Sequence, residues 1–178
     1  LSAACTYPKL ADQPISEDAL MMGPLEPTNE WYAIAKITGM KMCAAYRQEH
    51  GCNFISAQPS SVYGPGDNYN LQSSHVIPAL LRKAHEAKAA GAASMELWGT
   101  GTPRREFLHA DDCADALAHL LKTYSNDAHV NVGSGEDMTI EALARLIMEV
   151  VGFEGELEKD LSKPDGTMRK LMQADRLR

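Results

Sequence analysis

Tyr32 and Lys36 stand four residues apart in a stretch, Trp31-Tyr32-Ala33-Ile34-Ala35-Lys36, that contains no helix breaker. On a helix that spacing puts the two side chains on one face, one turn from each other. A neighbouring ammonium favours the phenolate and draws a tyrosine down from its ordinary pKa of ~10. A phenol so tuned can pass a proton to or from a carbonyl or alcohol oxygen. Taken alone, the pair describes two surface neighbours equally well. Cys5 and His75 form a second set: an accessible thiolate is a base toward carbon acids, and imidazole is the usual acid near neutral pH. Their plain alternatives are a buried apolar cysteine at a strand end and a histidine flanking a helix. Lys83, Trp98, Arg105 and Asp165 form a third set. Arginine grips phosphate through a fork, lysine as a point charge, and tryptophan offers a stacking face. The plain alternative there is scattered surface charge and one half-buried Trp. His109, beside Asp111 and Asp112, reads as structural or capping. His50, His85, His119 and His129 read as solvated or packing residues.

These sets need elements to position them. Residues 1–5 read as the end of a buried strand opening at Tyr7-Pro8. Residues 8–28 hold Pro8, Pro14, Gly23, Pro24 and Pro27 and form a long loop, a kind that is often functional. A helix is expected over 29–50, capped by Thr28 or Asn29 and ended by Gly51. Trp31, Ile34, Ile37, Met40 and Met42 make it apolar around most of its circumference, as for a helix covered on two sides. A sheet would take one side and a partner subunit the other. Residues 53–57 read as a buried strand and 59–68 as the loop after it, outside a strand's carboxyl end, where open parallel sheets bind ligands. Helices are expected over 76–90 and from Asp111 or Asp112 to about 124. A last one starts at Thr139, and strands are expected at 95–98, 105–109 and 130–132. From Gly152 onward the chain reads as polar and irregular.

The chain has 178 residues, 44% hydrophobic and 23% charged, which is globular composition. No apolar run approaches the ~18 residues of a membrane span. A formal net charge of −7 with no basic stripe argues against nucleic acid. An anionic ligand would have to be held by local Arg or Lys. The 4 cysteines lack zinc spacing and disulfide-scaffold density, which reads as reduced thiols in a cytoplasmic protein. No metal site is expected. The start, Leu1-Ser2-Ala3-Ala4-Cys5, has neither a Met nor a basic n-region, and the chain reads as processed or as part of a longer one. Gly99-x-Gly101 and Gly133-x-Gly135 each lack the third glycine of a dinucleotide phosphate loop.

The order of motifs carries more than any one of them. Ala3-Ala4-Cys5-Thr6-Tyr7-Pro8, then Glu26-Pro27-Thr28-Asn29-Glu30, then Tyr32-x-x-x-Lys36 resemble the extended short-chain dehydrogenase/reductases. Ser74-His75-Val76-Ile77-Pro78, Trp98-Gly99-Thr100-Gly101, Arg105-Glu106-Phe107-Leu108-His109 and Lys163-Pro164-Asp165-Gly166 narrow the resemblance to the GDP-L-fucose synthase family. Its members are NADP-dependent GDP-4-keto-6-deoxy-D-mannose 3,5-epimerase–4-reductases. The resemblance implies an α/β fold: the C-terminal half of a Rossmann-type doubly wound parallel sheet plus a small α+β substrate-binding domain. The N-terminal dinucleotide-binding half would lie upstream of Leu1. It places residues 1–65 in the NADP-binding domain and 66–178 mostly in the substrate domain, with about 103–132 returning to the first. By the same resemblance Tyr32 is the proton donor to the C4 oxygen, Lys36 holds the nicotinamide ribose, and Cys5 and His75 invert C3 and C5. Tyr32, Lys36, Pro59, Ser60, Ser61, Val62 and His75 contact the cofactor, and Lys83, Trp98, Arg105 and Asp165 the GDP-sugar. A homodimer through the 29–50 helix is also implied.

One position departs from the family. Its catalytic serine stands four residues before the Tyr of Tyr-Pro, and here that position is Ala3. Ser2 is one residue out of register and so faces the other way in an extended strand. Reduction is therefore expected to be impaired, with Cys5 and His75 still able to epimerise. The alternatives are another nucleotide-sugar epimerase or reductase of the superfamily, or a catalytically silent binding or scaffold relative.

Overall fold

Residues 1–177 are described by a computed structural model. The strong helix signal around Tyr32 becomes α1, Glu30–His50, and Gly51 ends it at φ +68°, in the left-handed region where glycine carries no Cβ penalty. Asn29 precedes it without a side-chain cap. Only Ala33 and Met40 of α1 are buried, while Trp31 is 80% and Met42 54% exposed. The helix expected to be covered on two sides thus leaves most of its apolar surface open in this chain.

The chain divides into two units. Unit 1 holds Leu1–Val62, Glu106–Asp137 and the chain from Lys170 on; unit 2 holds Tyr63–Arg105 and Met138–Arg169. All four passages between them fall inside short strands: β2 (Ser61–Tyr63), β4 (Arg104–His109), β6 (Asp137–Thr139) and β8 (Arg169–Lys170). These strands run in the order β2-β4-β6, with β8 also on β4.

In unit 1, β1 (Ala57–Pro59) pairs in parallel with β5 (Val130–Val132), Gln58 opposite Asn131. The strand expected at 53–57 is thus shifted toward the C-terminus, because pairing to β5 sets its bounds. Helix α3, Ala110–Thr123, packs Cys113 and Leu120 against Ala57, Leu108, Val130 and Val132. Its N-terminus is capped by the His109 ring, which accepts from the Asp111 N–H at 3.3 Å, and not by Asp111 or Asp112. The first residues form no strand. Ser2 N–H donates to Ala57 C=O at 2.8 Å, and a 3-10 turn follows over Ala4–Thr6. A second cluster, Ala4, Tyr7, Ile15 and Met172, seats that turn.

In unit 2, α2 (Val76–Ala89) packs on α4 (Ile140–Val151) and on β3 (Ser94–Trp98). Met95 and Leu97 are buried and Glu96 and Trp98 exposed, the alternation that a pleated strand imposes. Thr139 caps α4 by accepting from Ala142 N–H at 3.1 Å. The segment after Gly152 is not irregular: β7, Glu156–Asp160, pairs in parallel with β3, Trp98 opposite Asp160. Among the described residues no helix is long and apolar enough to cross a membrane.

Candidate active site

Unit 1 gathers three of the proton-transfer candidates. The Lys36 ammonium lies 5.5 Å from the centre of the Tyr32 ring and donates to the Leu1 carbonyl at 3.2 Å. Tyr32 is 53% exposed, so its phenol is open to a ligand. Helix α1 also packs against the turn that carries Cys5. Burial pushes the Cys5 thiol above its ordinary range, while the ammoniums of Lys170 and Lys36 and a backbone hydrogen bond pull it back. Tyr7 anchors the turn: its hydroxyl donates to Asn131 Oδ1 and meets His129 Nε2 at 3.0 Å. Burial, then the Glu17 carboxylate, pushes the Tyr7 phenol upward, and burial pushes His129 downward.

Ala3 is extended, at φ −159° and ψ 151°. Its carbonyl accepts from the Thr6 hydroxyl at 3.0 Å. Thr6 is fully buried, so its hydroxyl is closed to a ligand. The Ser2 hydroxyl is buried without a partner.

Pro59 and Ser60 are buried at the carboxyl end of β1, and Ser60 N–H donates to Val132 C=O at 2.9 Å. Ser61 and Val62 are exposed on β2. The Ser60 hydroxyl and both amide atoms of Gln58 are buried and unpaired. Such atoms cost free energy unless a partner satisfies them. This end of the parallel pair therefore fits the polar edge of a bound cofactor.

Unit 2 holds the remaining candidates. His75 is exposed at the position before α2, in extended conformation, and makes no side-chain cap. Cys5 and His75 belong to different units. Lys83, on α2, lies 4.7 Å from the Trp98 ring centre and bonds Glu96 Oε2 at 3.3 Å. Lys163 stands 5.2 Å from the same ring. Arg105 is half-buried, bonds the Arg104 carbonyl at 2.8 Å, and has its pKa lowered by burial. Asp165 clamps a turn: it accepts from Thr100 N–H at 2.7 Å and from the Thr100 hydroxyl at 2.8 Å. Gly99, at φ +76°, is needed there, since a Cβ would run into the Asp165 carboxylate.

The sequence reading gave no role to three charged residues next to these candidates: Lys170 near Cys5, and Glu96 and Lys163 around Trp98. Only Glu96 left a signal, being two residues from Trp98 on an alternating strand and so on its face.

The profile of the NAD dependent epimerase/dehydratase family matches residues 1–133. The chain belongs to this family. Among curated proteins it is 58% identical over 177 residues to a GDP-L-fucose synthase of Sinorhizobium fredii, covering 99% of this chain and 56% of that protein. It is 50% identical to the GDP-L-fucose synthase of Escherichia coli over 186 residues, covering 99% of this chain and 58% of that protein. Its fold matches a GDP-L-fucose synthetase of Naegleria fowleri bound to NADP, with a TM-score of 0.91 at 29% identity over 97% of this chain and 56% of that one. It also matches a GDP-6-OMe-4-keto-L-xylo-heptose reductase of Campylobacter jejuni, with a TM-score of 0.88 at 32% identity over 99% of this chain and 62% of that one. The chain spans about half the length of the curated relatives it matches. The α/β architecture with parallel strand pairs is the Rossmann-type arrangement of this epimerase/dehydratase family.

Proposed function

We propose that this protein converts GDP-4-keto-6-deoxy-D-mannose to GDP-L-fucose, by 3,5-epimerisation and then reduction at C4 with NADPH. The observation that carries this reading is the Lys36 ammonium, one turn from the Tyr32 phenol and acting on the Cys5 thiol. Relatives at 50% and 58% identity bear the name GDP-L-fucose synthase, which supports the substrate.

The C4 ketone acidifies the protons at C3 and C5. Cys5 as thiolate takes each proton and becomes the thiol; the electron pair moves into the enolate, and His75 returns a proton on the opposite face, inverting the centre. NADPH, when bound, supplies the hydride to C4. Tyr32 gives its proton to the C4 oxygen, and Lys36 stabilises the phenolate that remains and holds the nicotinamide ribose. Pro59, Ser60, Ser61, Val62 and His75 bound the nicotinamide; the unpaired Ser60 hydroxyl supports this. Lys83, Trp98, Arg105 and Asp165 hold the GDP-sugar, with Asp165 also fixing the Thr100 turn. In this reading unit 1 is part of the NADP-binding domain and unit 2 the GDP-sugar domain. The exposed apolar face of α1, with Trp31, Ile34 and Met42, serves a homodimer. The four free cysteines fit the reducing cytoplasm.

Ala3 favours one competing reading, a silent binding relative. Incubating the full-length protein with the keto sugar in deuterated water, without NADPH, separates the two. Deuterium entering C3 and C5, and lost in Cys5→Ser and His75→Gln, supports the epimerase. No exchange in the wild type supports the silent relative.

A further inference from the structure

Glu96 occupies the centre of the unit 2 charge cluster and has no role in the chemistry above. Its Oε2 accepts from the Trp98 indole N–H at 2.6 Å and from Lys83 Nζ at 3.3 Å, and the Glu96 carbonyl takes a second Lys83 bond at 3.2 Å. The Lys83 side chain is only 17% exposed, whereas that of Glu96 is 53% exposed. One carboxylate oxygen thus ties the stacking side chain to the anion-binding ammonium. Asp160, across the β3–β7 pair, lies in the same field: its carboxyl is held below the ordinary range by the Ser162 hydroxyl and N–H, then by Lys163 and Lys83. Lys83 and Lys163 are therefore matched by Glu96 and Asp160, and the cluster has no formal net charge.

We propose that Glu96 is an internal competitor at the nucleotide site, a carboxylate that a nucleoside diphosphate must displace from Lys83 and Trp98 on binding. This rests on the reading of Lys83 and Trp98 as GDP-sugar ligands. A diphosphate outcompetes it because it brings more negative charge to Lys83 than one carboxylate does. The carboxylate lowers affinity and so speeds release of the nucleotide product, and it makes ligands with weak anionic groups poor competitors.

The test is calorimetric titration of GDP into the full-length protein and its Glu96→Gln variant. Glu86→Gln serves as the charge-matched control, since Glu86 lies on α2 with its carboxylate on Arg82 at 2.7 Å. Glu96→Gln is expected to lower the Kd for GDP about three- to fivefold, the scale of one partly exposed ion pair. The gain should shrink in a Lys83→Met background, and Glu86→Gln should change nothing. GDP binding that is equal or weaker in Glu96→Gln overturns the competitor role and leaves the GDP site standing. No GDP binding in the wild type overturns the site and the competitor with it.

Discussion

The Thr6 hydroxyl donates to the carbonyl of Ala3 at 3.0 Å, on a turn where Thr6 is fully buried. The Thr6 hydroxyl is thus committed to the backbone, while the Ser2 hydroxyl, next to Ala3, is buried. Ala3 itself is in ordinary extended conformation, which a serine adopts without strain. Ala3→Ser in the full-length protein is expected to raise the reduction rate by up to ~10² to 10³, the worth of one donor to a developing oxyanion. Stopped-flow loss of NADPH absorbance measures it. An unchanged rate would show that Ala3 is not the serine position.

In the proposed mechanism the Tyr32 phenol acts only in the hydride step. Tyr32→Phe is expected to cut reduction by ~10² to 10⁴, the usual worth of a positioned proton donor. Deuterium exchange at C3 and C5 should continue at the wild-type rate. Joint loss of both activities would assign Tyr32 to the epimerisation instead.

The Cys5 thiol is raised by burial and restrained by Lys170 and Lys36. Its alkylation rate against pH should therefore reach half its maximum above the range of an exposed cysteine. Lys36→Met removes one restraining cation and should move the midpoint further up. A downward move would mean that Lys36 is not in the field of the thiol. Mass spectrometry of iodoacetamide-treated protein resolves Cys5 from Cys43, Cys52 and Cys113.

Glu106 is a structural carboxylate, 1% exposed, that accepts from Gly135 N–H at 2.7 Å and from Met172 N–H at 3.1 Å. A Cβ at Gly133 would stand 2.8 Å from its Cδ. Gly133→Ala therefore forces the carboxylate off two buried backbone donors and should cost about 2–4 kcal/mol. Urea unfolding followed by circular dichroism reads the loss. A cost under about 0.5 kcal/mol, the scale of an ordinary surface substitution, would show that the site relaxes freely.

The helices were legible because their information is local. Thr139 capped α4 as its type predicts, α2 followed the spacing of Ile77, Leu80 and Ala84, and Gly51 closed α1. Strand β7 was not legible, since Glu156-Leu157-Glu158-Lys159-Asp160 is exposed at most positions and is a strand only because β3 supplies its partner. The shift of β1 to Ala57–Pro59 has the same origin in β5. Of the site, the Tyr32–Lys36 pair was readable from spacing, because one helical turn sets the separation of residues four apart.

Residue order alone therefore determined which side chains could carry a proton or grip a phosphate, and the family to which the chain belongs. The tertiary structure decided their surroundings: Lys170 in the field of Cys5, Thr6 spent on Ala3, and Glu96 holding Lys83 against Trp98. The reason is physical. Helix turns and caps are contacts between near neighbours in the chain, whereas strand pairing, burial and Coulomb forces act through space between segments that only folding brings together.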